Sequence, residues 1–290
     1  MSKPYQKVID YFQTFESKMG YDIVLGGVKH FGFYPSRKMG VPEKEAQILT
    51  QDLLAKKLRI SKKDHLLDAG CGQGFVATYF AQKFGCKVTG ITITPFEVKK
   101  ARDLAIKRGV ENKVDFFEMD YSETKFPDNT FDAIYTLESF VHAYDLEKAL
   151  KEFKRILKPD GRIAFFEYSI PDEKTIDKFE KNHKGYKKIL DWVIEKGAMF
   201  SLKKLRHGFL PKILSKIGFR NIKEQNIILH IYPSIQRLNN IAKIFFPIIK
   251  LLKLQDKFIN ATTAAEFFPY LINNKKKDLL RYNVTTAQKY

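Results

Sequence analysis

Three glycines alternate with other residues directly after a short apolar segment that contains an acid. In the stretch HLLDAGCGQG (residues 65–74), Asp68 stands just before Gly70, Gly72 and Gly74. Glycines let a backbone turn tightly and approach a ligand without an intervening side chain. An acid at this place disfavours a diphosphate, for which G-x-G-x-x-G would be expected, and favours a ligand with an ammonium group. The stretch therefore predicts a loop that binds such a ligand, with a plain tight turn as the alternative.

The elements around this loop are predicted to be alternating strands and helices. The strand-like segments are residues 65–70, 87–94, 114–120, 131–138 and 161–168. Helical patterns lie between them, so the chain is expected to form a doubly wound, mostly parallel α/β sheet with helices on both faces. Because ligands of such sheets bind outside the carboxyl ends of the strands, the glycine loop lies where a ligand is expected.

A chain of 290 residues is expected to form one elaborated domain. Its parts, in order, are a helical and aromatic N-terminal cover (1–60), the ligand-binding core (61–171), a helical insertion that returns to the sheet (172–232), a second helical insertion (233–280) and a last strand (281–290). The return to the sheet is predicted as a strand over residues 219–231. An insertion of this kind usually covers the functional edge of a sheet, so residues 233–280 are predicted to form a lid.

Basic residues are concentrated in the C-terminal part of the chain. Residues 174–290 carry 24 basic and 8 acidic side chains, which accounts for 16 of the net charge of +18. Such an excess favours anionic partners, namely nucleic acid, lipid headgroups or acidic substrates, with a solvated lysine-rich surface as the alternative.

Neither a signal peptide nor a membrane-spanning segment is expected, because no stretch approaches about 18 uncharged apolar residues. The protein is therefore expected in the cytoplasm, either free or peripherally attached at a membrane surface. Cys71 and Cys86 match neither a disulfide framework nor a metal site, so reduced thiols and no metal are expected.

Four motifs occur in a fixed order over about residues 65–170. They are LLDAGCGQG, VTGITIT, FFEMDYSETKFPDNTFDAIYTLESFVHAYD and LKEFKRILKPDGRIAFFEY. In order and spacing they resemble the class I S-adenosylmethionine-dependent methyltransferases, and in style the sterol, tocopherol and cyclopropane-lipid enzymes among them. The resemblance implies a Rossmann-like sheet of seven strands, S-adenosyl-L-methionine as the cofactor and S-adenosyl-L-homocysteine as the product.

The resemblance assigns the cofactor residues of the first two motifs. Asp68 is expected to orient the methionine end, with the three glycines passing beneath it. The family usually has an acid for the ribose hydroxyls at the end of the second strand, where this sequence has Thr92. In the variant with GITIT before a proline, a residue one turn into the helix reaches the ribose, and here that residue is Glu97. The alternative for Glu97 is a capping box with Thr94.

The third motif supplies the adenine end by the same resemblance. Asp120 matches the acid that receives the adenine amino group, Tyr121 lies against the ring, and Leu137 at the end of the fourth strand also contacts the cofactor. For Asp120, a turn or a helix N-cap is the alternative.

Residues between the cofactor and the acceptor are expected after the fourth strand and in the N-terminal cover. Glu138 and His142 are four apart, hence on one face if they form a helical turn, and either is a candidate to take a proton from the acceptor. The segment GGVKHFGFYP (26–35) resembles the aromatic gate of the tocopherol and sterol enzymes, with Tyr34 over the sulfonium or the acceptor. Packing in the core is the alternative for His142 and for these aromatic residues.

The second insertion carries an amphipathic pattern that is expected to break at Pro247. Its apolar residues Phe245, Phe246 and Ile249 are predicted to line the site of a lipophilic acceptor, and its lysines to face water or an anionic membrane. An ordinary helix packed on the domain is the alternative.

These observations favour an enzyme that transfers a methyl group to carbon or oxygen of a small lipophilic acceptor, such as a sterol, prenyl or quinone-like lipid. The alternatives are an RNA methyltransferase, favoured by the basic C-terminal part, and a scaffold that binds the cofactor without turnover. The stretch LESFVHAYD lacks the NPPY or DPPY of enzymes that methylate exocyclic nucleic-acid amines, and the intact Asp68 and Asp120 argue against a decayed site. Nucleic acid is therefore not expected as a partner, and the sequence predicts no particular oligomeric state.

Overall fold

The computed structural model describes residues 3–14, 16–17 and 27–290. The remaining parts of the predicted N-terminal cover, residues 1–2, 15 and 18–26, lie outside the described residues. Seven strands form one sheet. In chain order they are β1 (His65–Ala69), β2 (Lys87–Thr92), β3 (Val114–Glu118), β4 (Phe131–Leu137), β5 (Leu157–Ser169), β6 (Phe219–Asn226) and β7 (Arg281–Lys289).

The strands lie in the order β3-β2-β1-β4-β5-β7-β6. Neighbouring strands run parallel except at β7, which is antiparallel to both β5 and β6. The order reverses between β1 and β4, and the carboxyl ends of strands at such a point border a crevice that can hold a ligand. The predicted doubly wound, mostly parallel sheet of seven strands is confirmed.

Helices cover both faces of this sheet. In chain order they are α1 (Lys3–Gln13), α2 (Glu43–Leu58), α3 (Phe75–Phe84), α4 (Pro95–Lys107), α5 (Leu146–Ile156), α6 (Glu173–Asn182), α7 (Tyr186–Lys196), α8 (Phe209–Ile217), α9 (Ile228–Leu251), α10 (Ile259–Thr262) and α11 (Phe268–Asn273). On one face, Phe80 of α3 packs against Tyr135 of β4 with ring centroids 5.4 Å apart. On the other, Phe153 of α5 packs against Phe165 of β5 at 6.4 Å. All four side chains are fully buried, so the core lies on both sides of the central strands.

The return to the sheet is shorter than the sequence pattern indicates. The strand predicted over residues 219–231 ends at Asn226, and α9 begins at Ile228. The Asn226 side chain accepts the N–H of Ile228 at 3.0 Å. Ile228 and Ile231 are both buried and lie three residues apart, so a helix places both on one inward face, whereas a strand would point them in opposite directions.

Helix α9 is the longest helix of the part that the structure describes, and it continues through Pro247 to Leu251. The predicted break at Pro247 is therefore wrong. Proline removes one N–H bond to the carbonyl four residues earlier, and Pro247 and Lys243 both lie on the exposed face, where water can bind that carbonyl. Among the described residues, α9 included, no helix combines the length and the apolar character needed to cross a bilayer.

Candidate active site

A cavity of about 630 Å³ opens at the carboxyl ends of β1, β2 and β4. Residues that end or follow these strands form its floor, among them Asp68, Thr92 and Leu137. Its cover includes α1, residues 27–31, side chains of α7 and α9, and residues 258–268. Most of the predicted cofactor and acceptor residues thus border one cavity, and the exceptions are Gly74, Tyr34 and Phe246.

The glycine loop presents its backbone to this cavity. Gly70 and Gly72 line the space and have φ values of 93° and 51°. A Cβ on Gly70 would lie 2.4 Å from the Cβ of Ser139, so packing alone demands glycine there. A Cβ on Gly74 would lie 2.8 Å from the Phe116 ring, so packing demands glycine there as well. A Cβ on Gly72 would meet no neighbour closer than a Glu97 oxygen at 3.7 Å, so Gly72 is the glycine that leaves room for a ligand.

Asp68 lies on the cavity floor and forms no salt bridge with any residue in the described part of the chain. Its side chain is buried, with 3% of the residue exposed, and Oδ2 makes no hydrogen bond to any residue that the structure describes. Burial raises the pKa of Asp68 to about 7 because it disfavours the ionised form. Gln73 and Thr94 nearby each also have a buried polar atom without a partner in the described part of the chain. Such atoms fit a ligand that brings its own hydrogen-bonding groups, including an ammonium group for Asp68.

Thr92 and Glu97 are brought together as one polar pair. The Thr92 hydroxyl donates to Glu97 Oε2 at 3.0 Å, and Lys29 Nζ donates to Glu97 Oε1 at 2.8 Å. The Thr94 side chain makes no cap bond, and its backbone N–H donates to the Thr92 hydroxyl instead. The capping box considered for Glu97 is therefore absent, and its carboxylate faces the cavity beside Gly72.

At the predicted adenine end, Asp120 lines the cavity and also forms a turn. Both of its carboxylate oxygens accept from Ser122, one from the N–H and one from the hydroxyl, each at 2.8 Å. Tyr121 lines the same wall, donates its hydroxyl to the carbonyl of Ser139 at 3.2 Å, and packs 5.7 Å from the Phe153 ring. The turn proposed as the alternative for Asp120 is thus present, together with exposure to the cavity.

Glu138, which lines the cavity, is the centre of a hydrogen-bond cluster. Its Oε1 accepts the N–H of Phe31 at 2.8 Å and the hydroxyl of Tyr282 at 2.9 Å, and its Oε2 accepts the hydroxyl of Tyr168. Burial raises the pKa of Glu138 to about 7 and that of Tyr168 well above its usual value. Glu138 has a φ of 56°, which turns the chain away from β4. A carboxyl group and a phenol therefore meet at a surface that a bound molecule can contact.

Sequence reasoning missed Glu167 of β5, which holds the loop after Glu138. Glu167 Oε1 accepts the backbone N–H groups of Ser139 and Phe140 at 3.0 and 2.7 Å. Ser139 in turn donates its hydroxyl to the carbonyl of Ala69 at 2.7 Å, directly before the glycine loop. Burial raises the pKa of Glu167 to about 8. An acid inside an otherwise apolar strand, AFFEY, is the signal that could have identified it.

His142 lines the cavity, but its side chain is not hydrogen-bonded to Glu138. A short 3-10 turn over Phe140–His142 replaces the helical turn considered above, and the two side chains have different partners. His142 Nδ1 lies 3.0 Å from the carbonyl of Ala198, to which it must donate, so Nε2 is left as the acceptor. Burial lowers the pKa of His142 to about 4, and the ring is therefore neutral at pH 7.

Tyr34 does not lie over the cavity, and the expected aromatic gate is not formed by this residue. Its ring is buried, its hydroxyl donates to Glu43 Oε2 at 3.0 Å, and its backbone N–H donates to the carbonyl of His230. These bonds direct Tyr34 between α2 and α9, outside the cavity lining. Phe31, three residues earlier, is the aromatic residue of this segment that lines the cavity, edge-on to Tyr168 at 6.2 Å.

The predicted lid residues divide between two faces of α9. Phe245 and Ile249 line the cavity together with Leu238, Ile241, Ala242 and Ile248. Phe246 is outside the cavity lining, and the ammonium group of Lys250 lies 5.9 Å from its ring. The helix period explains why Phe246 is outside the lining. Residues 238, 241, 245 and 249 share one face, and residue 246 points about 100° away from residue 245.

One of the two cysteines, Cys71, lines the cavity. Cys71 and Cys86 are both buried free thiols. Within residues 3–14, 16–17 and 27–290, no group of three or more His, Cys, Asp or Glu side chains is arranged to hold a metal ion.

Comparison with known proteins relates the chain to methyltransferase-like proteins. The family described as Methyltransferase domain matches residues 67–165. An S-adenosyl-L-methionine-dependent Diels-Alderase of Talaromyces variabilis is 31% identical over 254 residues, which are 86% of this chain and 85% of that protein. A sterol 24-C-methyltransferase of Saccharomyces cerevisiae is 32% identical over 175 residues, which are 60% of this chain and 44% of that enzyme. This chain thus matches less than half the length of the sterol enzyme.

Among solved structures, the (4+2)-cyclase SpnF is similar over nearly the whole chain. The TM-score is 0.76 at 21% sequence identity, and the match covers 98% of this chain and 96% of that protein. At this identity the likeness concerns the fold, including the helices that cover the cavity.

Proposed function

We propose that this chain, which belongs to the class I S-adenosylmethionine-dependent methyltransferases, transfers a methyl group to a small lipophilic acceptor. S-adenosylmethionine is its cofactor. The observation that carries the proposal is that one cavity is lined by two unlike groups of side chains. Asp68, Thr92 and Glu97 are polar and lie at the strand ends, here called the polar part, whereas Phe245, Ile248 and Ile249 of α9 are apolar.

The polar part has residues that would hold each end of the cofactor. Asp68 would bind the ammonium group, Glu97 the ribose hydroxyls, and Asp120 the adenine amino group, while Gly72 leaves room for the ligand. When bound, the cofactor supplies an electrophilic methyl group. Because methyl transfer is a direct displacement, the protein has to align the acceptor and exclude water rather than form a covalent intermediate.

Glu138 is the residue that would take a proton from a hydroxyl acceptor. A general base works best with a pKa near the working pH, and burial raises the pKa of Glu138 to about 7. The phenols of Tyr168 and Tyr282 hold the carboxyl group in place. His142, neutral at pH 7, offers Nε2 as a further acceptor in the cavity lining.

The lipophilic character of the acceptor is supported by the mouth of the cavity. Phe245 and Ile248 of α9 line the cavity and are also exposed to solvent, at 57% and 59%. Ile244, Leu251 and Leu252 extend this exposed apolar surface. Lysines 243, 250, 253 and 257 lie on the same helix or directly after it. We propose that this surface contacts anionic membranes peripherally, so that the acceptor enters from the bilayer.

Incubation with S-adenosylmethionine labelled in the methyl group, together with a lipid extract or total RNA, tests the proposed reaction. We expect label in the lipid fraction and formation of S-adenosylhomocysteine. Label in RNA would favour a nucleic-acid substrate. Binding of the cofactor with label in neither fraction would favour a protein that binds without methyl transfer.

A second candidate function is a cycloaddition in which the cofactor is bound but not consumed. The relative that matches 86% of this chain is a Diels-Alderase, and the likeness to the (4+2)-cyclase includes the cover of the cavity. In this function, Tyr168 or protonated Glu138 would donate a hydrogen bond to a carbonyl of a folded polyene. Incubation with a linear polyene that carries a conjugated carbonyl separates the two functions. Methyl transfer adds the mass of a methylene group, whereas cyclisation leaves the mass unchanged.

A further inference from the structure

The N-terminal segment of residues 27–34, here called the strap, contributes a cation to the cofactor part of the cavity. Lys29 of the strap lies 2.8 Å from Glu97 Oε1, and both side chains line the cavity. Only 15% of the Lys29 side chain and 3% of the Glu97 side chain are exposed. The Lys29 ammonium group therefore makes a charge-assisted hydrogen bond to the Glu97 carboxylate.

The hydrogen bonds of Glu97 leave part of its accepting capacity open. A carboxylate has about four lone-pair positions, two on each oxygen. Lys29 takes one on Oε1, and the Thr92 hydroxyl takes one on Oε2. One position on each oxygen remains, which matches the two donors of a vicinal diol.

The position of Lys29 is itself well determined. Its ammonium group lies 4.7 Å from the centroid of the Phe12 ring in α1 and 5.9 Å from that of Phe96, beside Glu97. The strap on both sides is fixed to α2, since Gln47 donates to the carbonyls of Val28 and His30. Lys29 thus reaches the end of β2 from a separate part of the chain, 68 residues from Glu97.

We propose that Lys29 is a positioning residue of the cofactor site, which orients the Glu97 carboxylate to accept both ribose hydroxyls. This inference rests on the proposed function, because it requires that Glu97 binds the ribose. The ribose acid that the family usually has at the end of the second strand is here replaced by three groups, Thr92, Glu97 and Lys29.

Calorimetric titration with S-adenosylhomocysteine and with its 2′,3′-dideoxy analogue, which lacks the diol, tests this role. In wild-type protein the dideoxy analogue should bind more weakly. Lys29→Met and Glu97→Gln should each weaken the binding of S-adenosylhomocysteine about tenfold, as expected for a lost charge-assisted hydrogen bond. Neither should change the affinity of the dideoxy analogue more than about twofold. Lys29→Arg should retain most of the affinity, because it retains the charge.

Lys83→Met is the matched control. Lys83 pairs with Asp52 at 2.6 Å and lies 5.2 Å from the Tyr79 ring, but it is outside the cavity lining. This variant should bind both ligands like the wild type. If Lys29→Met does not fold, Lys29→Gln is titrated in the same way.

The outcomes distinguish the role of Lys29 from the assignment of Glu97 to the ribose. Unchanged affinity in Lys29→Met, with a loss in Glu97→Gln, would refute the role of Lys29 and leave the ribose site intact. An equal loss for both ligands in Lys29→Met would also refute it, because general packing would then be the cause. Unchanged affinity in Glu97→Gln would instead refute the ribose assignment itself.

Discussion

The backbone N–H of Phe31 donates to Glu138 Oε1 at 2.8 Å and so joins the strap to the carboxyl end of β4. Two residues earlier, Lys29 of the same strap bonds Glu97 after β2. One short segment therefore contacts two acids that line the cavity. On the outside, Glu43 of α2 holds this segment by accepting from Gly32 and Tyr34. A change in the strap should consequently affect both ends of the site.

Asp68→Asn should weaken the binding of S-adenosylhomocysteine. Asparagine keeps the shape of the side chain but loses the charge that would pair with the ammonium group, which is worth about 1.5–3 kcal/mol. Calorimetry measures the change. Asp115→Asn is the control, because Asp115 lies on β3 outside the cavity and pairs only weakly with Lys87 at 3.4 Å. Equal affinities of the Asp68 variant and the wild type would remove Asp68 from the site.

The same interaction should depend on pH. Burial raises the pKa of Asp68 to about 7, and an ammonium group requires the ionised form, so binding below pH 7 must release a proton. The affinity for S-adenosylhomocysteine should fall by up to about tenfold per pH unit below 7 and stay level from pH 7 to 8. Titrations in buffers of different ionisation enthalpy measure the released proton. A slope that persists in Asp68→Asn would assign the proton to another group.

Asp68 should also make the ligand-free fold less stable at higher pH. Its pKa in the folded protein lies above the usual value of 3.8, so the folded state binds more protons between these values and stability falls as the pH rises toward 7. Asp68→Asn removes this loss and should raise Tm more at pH 8 than at pH 5. Thermal melts of both proteins without ligand test this sign. A Tm of Asp68→Asn below that of the wild type at pH 8, with no such difference at pH 5, would contradict the prediction.

Glu138→Gln should lower turnover while leaving cofactor affinity unchanged. Glutamine can still accept the Phe31 N–H but cannot take a proton, and loss of a general base costs about 10²–10⁴-fold in rate. Formation of S-adenosylhomocysteine in the lipid incubation gives the rate. Glu224→Gln is the control, since Glu224 is a partly buried acid of β6 whose partner is Thr285, outside the cavity lining. A fully active Glu138→Gln enzyme would exclude Glu138 as the base.

Phe245→Ser and Phe246→Ser should behave differently although the residues are adjacent. Phe245 lines the cavity, so its loss removes apolar contact with the acceptor, worth about 25 cal/mol per Å² of buried surface, and should raise the acceptor KM. Phe246 is outside the lining, and its variant should keep the wild-type KM. Cofactor affinity should be unchanged in both. The reverse order of KM values would refute the placement of α9 over the acceptor.

Membrane attachment should require anionic lipid and should weaken with salt. The lysines of α9 are attracted to negative headgroups, and ions screen this attraction. Vesicle sedimentation with neutral and anionic lipids, at low and high ionic strength, measures it. Ile248→Ser should reduce binding, whereas Ile106→Ser, at a comparably exposed position on α4, should not. Equal recovery in the supernatant with all vesicles would show that the basic surface faces solvent and does not bind membranes.

Local patterns predicted the central part of the fold well. The strands β1 to β5 and the glycine loop follow from alternating apolar segments and from residues with special backbone freedom, which act over a few neighbours. The acids at the strand ends, Asp68, Asp120 and Glu138, could also be found this way, because parallel strands bring their carboxyl ends to one edge.

The sequence by itself thus determined the sheet, its ligand edge and the family, whereas the tertiary structure decided which side chains face the cavity. Lys29 meets Glu97 across 68 residues, Tyr34 turns toward Glu43, and Phe245 but not Phe246 lines the cavity. No local pattern carries this information. The direction of each side chain depends on partners from distant parts of the chain, and a buried polar group has to find one of them because an unpaired group costs free energy.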